Sequence, residues 1–434
     1  MRTVIAAGFA AAASLMLWGQ SGSTTTKAAA KKNTATKKKK KAARRPPPVS
    51  AAVRSAAIQT VNETYDAPET FDNGAALVPL FERLFRMKED SAPVHILHYG
   101  DSHTASDDLA HTMRVLLQER FGFGGPGFAM PGQPYNGYRR FDLQSGNSRN
   151  WRTEGTPLRP GDGMHGLGGV SLTSRRMGES VRLTARGDEI ELLFLQQPGG
   201  GSFDIYMDGV HEGVVSTDGE WGPASLPLPT TPLGPHSYLM RTKTAAPVRM
   251  LGTIVQNRTG VTWETLGING AQVSLVKEWD PRLLATHLAK RDPAMIVLAY
   301  GTNEANSPRW NGAAYTENLR KVIQQFRSIA PAATILLVGP PDCRVKSTRA
   351  LSEVVEIQRQ TALELNCAFW NWRERMGGEG AIKTWVNAGM GKWDYVHMTS
   401  AGYQLVGRTL FRDLMGQYER FLKARITTEN AQAR

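Results

Sequence analysis

The chain has 434 residues, of which 41% are hydrophobic and 21% charged; that is enough apolar material for two packed cores and too many charges for a membrane-spanning bundle. Its formal charge of +13 would ordinarily point to nucleic acid or another polyanion. Eleven of the cations, however, are Arg2 and the lysines and arginines between Lys27 and Arg45, ahead of the first carboxylate, Glu63, so that about +2 is left for the rest of the chain. A near-neutral body disfavours nucleic acid, and no nucleic-acid partner is expected for the folded part.

Residues 4–18 form an apolar stretch after Arg2 and are followed by the small polar residues 20–23, the layout of a secretory signal. At about 15 residues the stretch falls short of the roughly 20 that span a bilayer. Residues 1–23 are thus expected to be a signal peptide or N-terminal anchor, and the protein to be exported to the periplasm or cell envelope. Residues 24–60, rich in Lys, Ala and Pro, read as a disordered linker. Its clustered cations would attract an anionic envelope or membrane surface.

Residues 61–137 open an α/β domain. Leu77, Leu80, Phe81, Leu84 and Phe85 recur at helical spacing, which predicts a helix over 75–87. A buried strand over 94–99 runs into Gly100-Asp101-Ser102-His103 and a helix over 109–121. Across 138–258 the period changes. Short β-prone runs at 170–173, 181–185, 189–195, 203–207, 214–217, 236–242 and 248–255, divided by Gly, Pro or Asp, predict an inserted all-β sandwich.

In 259–434 the α/β pattern resumes, with strands at 261–266, 295–300, 334–338 and 368–372 and helices at 315–329 and 350–365. The fold class is therefore α/β, a parallel sheet flanked by helices with a β module inserted. Cys343 follows one strand and Cys367 precedes the next, which places the thiols at opposite ends of the sheet, too far apart for a disulfide.

Ligands bind at the carboxyl ends of strands in open α/β sheets. At those ends stand Gly100-Asp101-Ser102-His103, Gly267-Ile268-Asn269-Gly270-Ala271 and Gly301-Thr302-Asn303-Glu304, and near the C-terminus comes Asp394-Tyr395-Val396-His397. A serine on a strand-to-helix turn needs a neighbouring base to become a nucleophile. His397 is the candidate base, and Asp394, three residues earlier, the group that orients it. The candidate donors to an oxyanion are the Ser102 N–H, the Gly270 N–H and the Asn303 amide. Trp393, beside Asp394, is a candidate sugar platform. Asp101 reads as a helix cap, His95 and His98 as satisfied core groups, and His103 as a neighbour outside the triad. No metal-ligand spacing or phosphate loop occurs, so no metal or cofactor is expected, and the chain is expected to act as a monomer.

At these positions the sequence resembles the SGNH, or GDSL-like, hydrolases. Gly100-Asp101-Ser102, Gly270, Gly301-Thr302-Asn303 and Asp394-x-x-His397 stand in the order of that family's four blocks. His103 replaces the usual Leu, and the first two blocks lie unusually far apart because the β module intervenes. That insertion resembles the architecture of bacterial peptidoglycan O-acetylesterases. The resemblance implies an exported serine esterase that removes O-acetyl groups from a cell-wall polysaccharide, above all O-acetylated peptidoglycan. The alternatives are an O-acetyltransferase with the same triad and a non-catalytic wall-binding protein.

Overall fold

Strand β1 (Phe71–Asp72) is the edge of a six-stranded sheet whose other members are β2 (Val94–Gly100), β3 (Val261–Gly267), β4 (Met295–Ala299), β5 (Thr334–Val338) and β6 (Ala368–Trp370). The order across the sheet is β1-β6-β5-β4-β2-β3. Every pair is parallel except β1 with β6, where Phe71 opposes Trp370. The computed structural model describes residues 49–432 apart from Thr70, Pro232 and Leu233. The expected signal or anchor of 1–23 and the linker as far as residue 48 lie outside the described residues.

The near-continuous apolar character of these strands follows from burial on both faces. Leu97, Tyr99, Ile296, Leu298, Ile335 and Leu337 belong to one core, while Ile96, Met295, Val297, Leu336 and Val338 belong to the other. The alternation is that of a pleated strand. The second core is closed by Val78–Asp90, Asp108–Phe121 and the long C-terminal helix Ser400–Gln432. Among the described residues no helix is long and apolar enough to cross a membrane.

Two expectations are corrected. The linker expected over 24–60 is not irregular throughout, because Ala51–Asp66 is a helix. Ser50 caps it by accepting the Val53 N–H, and Ala57 and Val61 are buried. Arg375 donates to the terminal carbonyls of Thr64 and Tyr65, groups that a helix end leaves without intrahelical partners. The strand expected to reach residue 372 stops at Trp370, because the Asn371 side chain accepts the Glu374 N–H and starts the short helix Trp372–Arg375.

Between Gln144 and Gln256 the chain forms two antiparallel sheets. Their order is 210–216, 202–207, 236–242, 180–185, 144–147 in one and 222–228, 189–196, 248–256, 171–174, 152–154 in the other. Gly127–Ala129 also pairs with Val248–Gln256. The sequence reading missed Gly222–Leu228, which contains Pro223 and Pro227. The strand lies at a sheet edge, where a missing N–H breaks no ladder. In Glu189–Gln196, Leu192 and Phe194 face the sandwich interior, while Leu193 and Leu195 join the core of the α/β sheet. The insert therefore shares a core with the α/β sheet instead of hanging from it, and the described residues form one compact unit.

Candidate active site

Gly100 ends β2 where no side chain fits: a Cβ there would come within 2.2 Å of Thr104 Oγ1 and 2.7 Å of the Ala299 carbonyl oxygen. Chain direction then changes at Asp101, whose carboxylate accepts the His103 N–H at 2.9 Å and caps the turn Ser102–Ala105. Ser102 is thereby lifted to the carboxyl edge of the sheet. Its Oγ lies 2.9 Å from His397 Nε2, and His397 Nδ1 lies 2.9 Å from Asp394 Oδ2. Asp394 Oδ1 also accepts the N–H groups of Val396 and His397 at 2.8 and 2.9 Å.

These bonds orient the imidazole before any ligand arrives. Burial acts to raise the Asp394 pKa, but the hydrogen bonds from the His397 ring and from the two backbone N–H groups outweigh it and hold the carboxyl below its usual range. With Asp394 ionised, His397 Nδ1 carries the proton and Nε2 is the acceptor for the serine hydroxyl.

Ser102, Gly270, Asn303 and His397 all line one open cleft of about 500 Å³, together with Asn269, Thr302, Asn306, Arg344, Val345 and Val396. Gly270 has φ +77° and Gly301 φ +129°, a region that favours glycine. The Asn303 amide donates to the Ala271 carbonyl at 2.9 Å and, at 3.3 Å, to Asp101 Oδ2.

One buried residue unread in the sequence joins the two donor loops. Glu304 accepts the Gly301 N–H at 3.0 Å through Oε2 and the Val273 N–H at 2.7 Å through Oε1. Gln272 adds a bond to the Asn303 carbonyl at 3.1 Å. Burial pushes the Glu304 carboxyl up to about 7, against the pull of its backbone donors. Burial, with Glu304 as a smaller contributor, pushes Asp101 up to about 8 against the His103 N–H bond. The sequence signal was the acidic residue directly after Asn303, legible as a capping-box partner but not as a bridge to residue 273.

His98 is buried and satisfied, accepting from Trp263 Nε1 at 3.1 Å and pairing with Thr104 Oγ1 at 3.2 Å. His95 bonds Thr262 Oγ1 at 3.0 Å. His103 Nδ1 pairs with the Tyr403 hydroxyl at 2.9 Å, outside the triad. Trp393 is 45% exposed but is not among the residues lining the cleft; Arg344, Asn306 and Asn269 occupy that wall instead. Cys343 and Cys367 are free and buried.

A parallel sheet with helices on both faces, a serine, histidine and aspartate in hydrogen-bonded series at its carboxyl edge, and a glycine and an asparagine beside the serine define an SGNH-type serine hydrolase. Fold and site together are those of a serine esterase similar to the GDSL-like hydrolases. The GDSL-like lipase/acylhydrolase family matches residues 229–405, a span that holds the Gly270, Asn303 and His397 blocks; the Ser102 block lies outside it, beyond the insert. Among solved structures, "Peptidoglycan O-acetylesterase in action, 5 min" superposes with a TM-score of 0.66 at 27% identity, over 79% of this chain and 96% of the other. A family two carbohydrate esterase from Cellvibrio japonicus aligns at 12% identity over 64% of this chain and 98% of its own, with a TM-score of 0.28 that carries no argument. Curated protein sequences give no significant match.

Proposed function

We propose that the protein removes O-acetyl groups from an acetylated cell-envelope polysaccharide, O-acetylated peptidoglycan in the first place. The observation that carries this reading is the hydrogen-bonded series Ser102–His397–Asp394 opening on a solvent-accessible cleft. The superposition with a peptidoglycan O-acetylesterase supports the choice of substrate.

In this reading Ser102 Oγ attacks the ester carbonyl as His397 Nε2 takes its proton. The carbonyl oxygen becomes an oxyanion held by the N–H groups of Ser102 and Gly270 and by the Asn303 amide. Collapse breaks the bond to the sugar oxygen, which leaves with the proton from His397. Water then enters, gives a proton to His397 and attacks the acetyl-enzyme; acetate departs and the proton returns to Ser102. Because the cleft is open, water reaches the acyl group without a conformational change.

Acetate release from O-acetylated peptidoglycan tests the proposal. Wild-type enzyme should release acetate, and Ser102→Ala should not. Accumulation of newly acetylated oligosaccharide in place of acetate would assign the same triad to acetyl transfer. Export is proposed from the apolar leader, and attachment to the anionic envelope from the Lys-rich stretch that follows. Deleting residues 24–48 should leave hydrolysis of a small acetyl ester intact and weaken retention on an envelope fraction.

A further inference from the structure

Arg344 follows β5, directly after Cys343, and stands on the wall of the catalytic cleft. Among the described residues lining that cleft it is the one Lys or Arg, and no Asp or Glu lines it. Its guanidinium makes no ion pair with a described residue. Its guanidinium carbon lies over the Tyr395 ring, 4.3 Å from the centroid.

The ring is itself held in place. Tyr395 has φ +59°, a left-handed conformation that a non-glycine residue adopts only when its surroundings hold it there. Its N–H donates to the Lys392 carbonyl at 2.9 Å, and its carbonyl accepts the Arg344 N–H at 2.6 Å. Tyr395 also sits in the turn that carries Asp394 and His397, so the guanidinium is fixed relative to the catalytic base. A guanidinium held against a ring without an ionic partner keeps N–H donors to offer, and its fork matches the two oxygens of a carboxylate.

We propose that Arg344 binds a carboxylate carried by the substrate next to the scissile ester, so that the enzyme selects acidic acetylated glycans over neutral ones. This inference rests on the esterase reading of the cleft. The carboxylate can come from the lactyl ether of an amino sugar that carries no stem peptide, because a peptide-bearing residue holds this carboxyl as an amide, or from a hexuronic acid; the two share the chemistry that Arg344 reads, and within peptidoglycan the preference is for peptide-free stretches of glycan. Asn306 and Asn269, on the same wall, supply neutral hydrogen-bonding groups for sugar hydroxyls.

Binding to Ser102→Ala enzyme tests the inference without chemistry. The probes are the disaccharide N-acetylglucosaminyl-N-acetylmuramic acid and a trigalacturonate, each compared with its own carboxyl amide. At least one acid should bind about tenfold more tightly than its amide, the scale of a charge-assisted hydrogen bond. Ser102→Ala/Arg344→Gln should abolish that preference, and Ser102→Ala/Arg344→Lys should restore part of it. If both acids bind no better than their amides, or if the preference survives Arg344→Gln, the inference is wrong. The comparison of acid with amide on unsubstituted Arg344 needs no further variant to fold. Loss of the esterase reading would show instead as absent acetate release by wild-type enzyme, a separate measurement.

Discussion

Glu304 Oε1 accepts the Val273 N–H at 2.7 Å and thereby ties the loop that presents Asn303 to the loop that presents Gly270. Oxyanion donors are effective because they need no reorganisation during reaction. On the proposed mechanism Glu304 acts as a positioning residue for both. Glu304→Gln keeps the size of the side chain but offers only one good acceptor for two N–H donors. At pH 8, where the Glu304 carboxyl is ionised, kcat of this variant should fall by about ten- to a hundredfold with a smaller change in KM, and Glu304→Asp, too short to reach both loops, should fare no better. Steady-state kinetics on a soluble acetyl ester reads this; an unchanged kcat would remove Glu304 from the positioning role.

Asn303→Ala should lower kcat by roughly a hundred- to a thousandfold, the usual cost of one oxyanion donor. Asp394→Asn should cost more, on the order of ten-thousandfold, because the amide no longer holds the imidazole in the tautomer that accepts the serine proton. Both variants should keep the wild-type far-ultraviolet circular dichroism. A ranking in which Asn303→Ala was the more damaging would mean that Asp394 only supports the loop.

The buried pair Asp101 and Glu304 sets a pH dependence of stability. Asp101 rises from 3.8 to about 8 and Glu304 from 4.5 to about 7. The folded chain therefore keeps protons that the unfolded chain has released, and these two groups make stability fall as pH rises from about 4 to 8. Thermal melts across that window should show Glu304→Gln with a shallower decline than wild type. An equal slope in both would show that Glu304 is ionised in the folded protein throughout.

Leu195 belongs to the inserted sheets by sequence and to the α/β core by packing. Leu195→Ala should cost about 2–5 kcal/mol, and the loss should register in one cooperative unfolding transition that also reports on activity. Two separate transitions, with only the first shifted, would show that the insert unfolds independently.

Local chemistry made much of the site readable. A serine after a strand, a Gly-x-Asn after another and an Asp-x-x-His near the end are short patterns whose roles follow from where strands end. The i to i+3 spacing of Asp394 and His397 already permits their contact. The helix 51–66 was not legible, because an alanine-rich stretch beside a run of lysines has the composition of a linker, and what orders it is distant: Arg375 on its last carbonyls and the core beneath Ala57 and Val61. Edge strand Gly222–Leu228 was hidden by prolines, which are allowed only because of where it lies in the sheet.

By itself the sequence determined most of the strand-and-helix order, the apolar faces and the insertion, and it singled out Ser102, His397 and Asp394, which the structure joins in one hydrogen-bonded series, because periodicity and turn chemistry act over a few neighbouring positions. It also located the charge, leaving the body of the protein near neutral. Tertiary structure alone decided which distant groups meet: that the sandwich shares its core with the α/β sheet, that Glu304 reaches Val273 across 31 residues, and that Arg344, rather than Trp393, lines the catalytic cleft. Each of these depends on long-range burial and on a side chain finding a partner that no local pattern specifies.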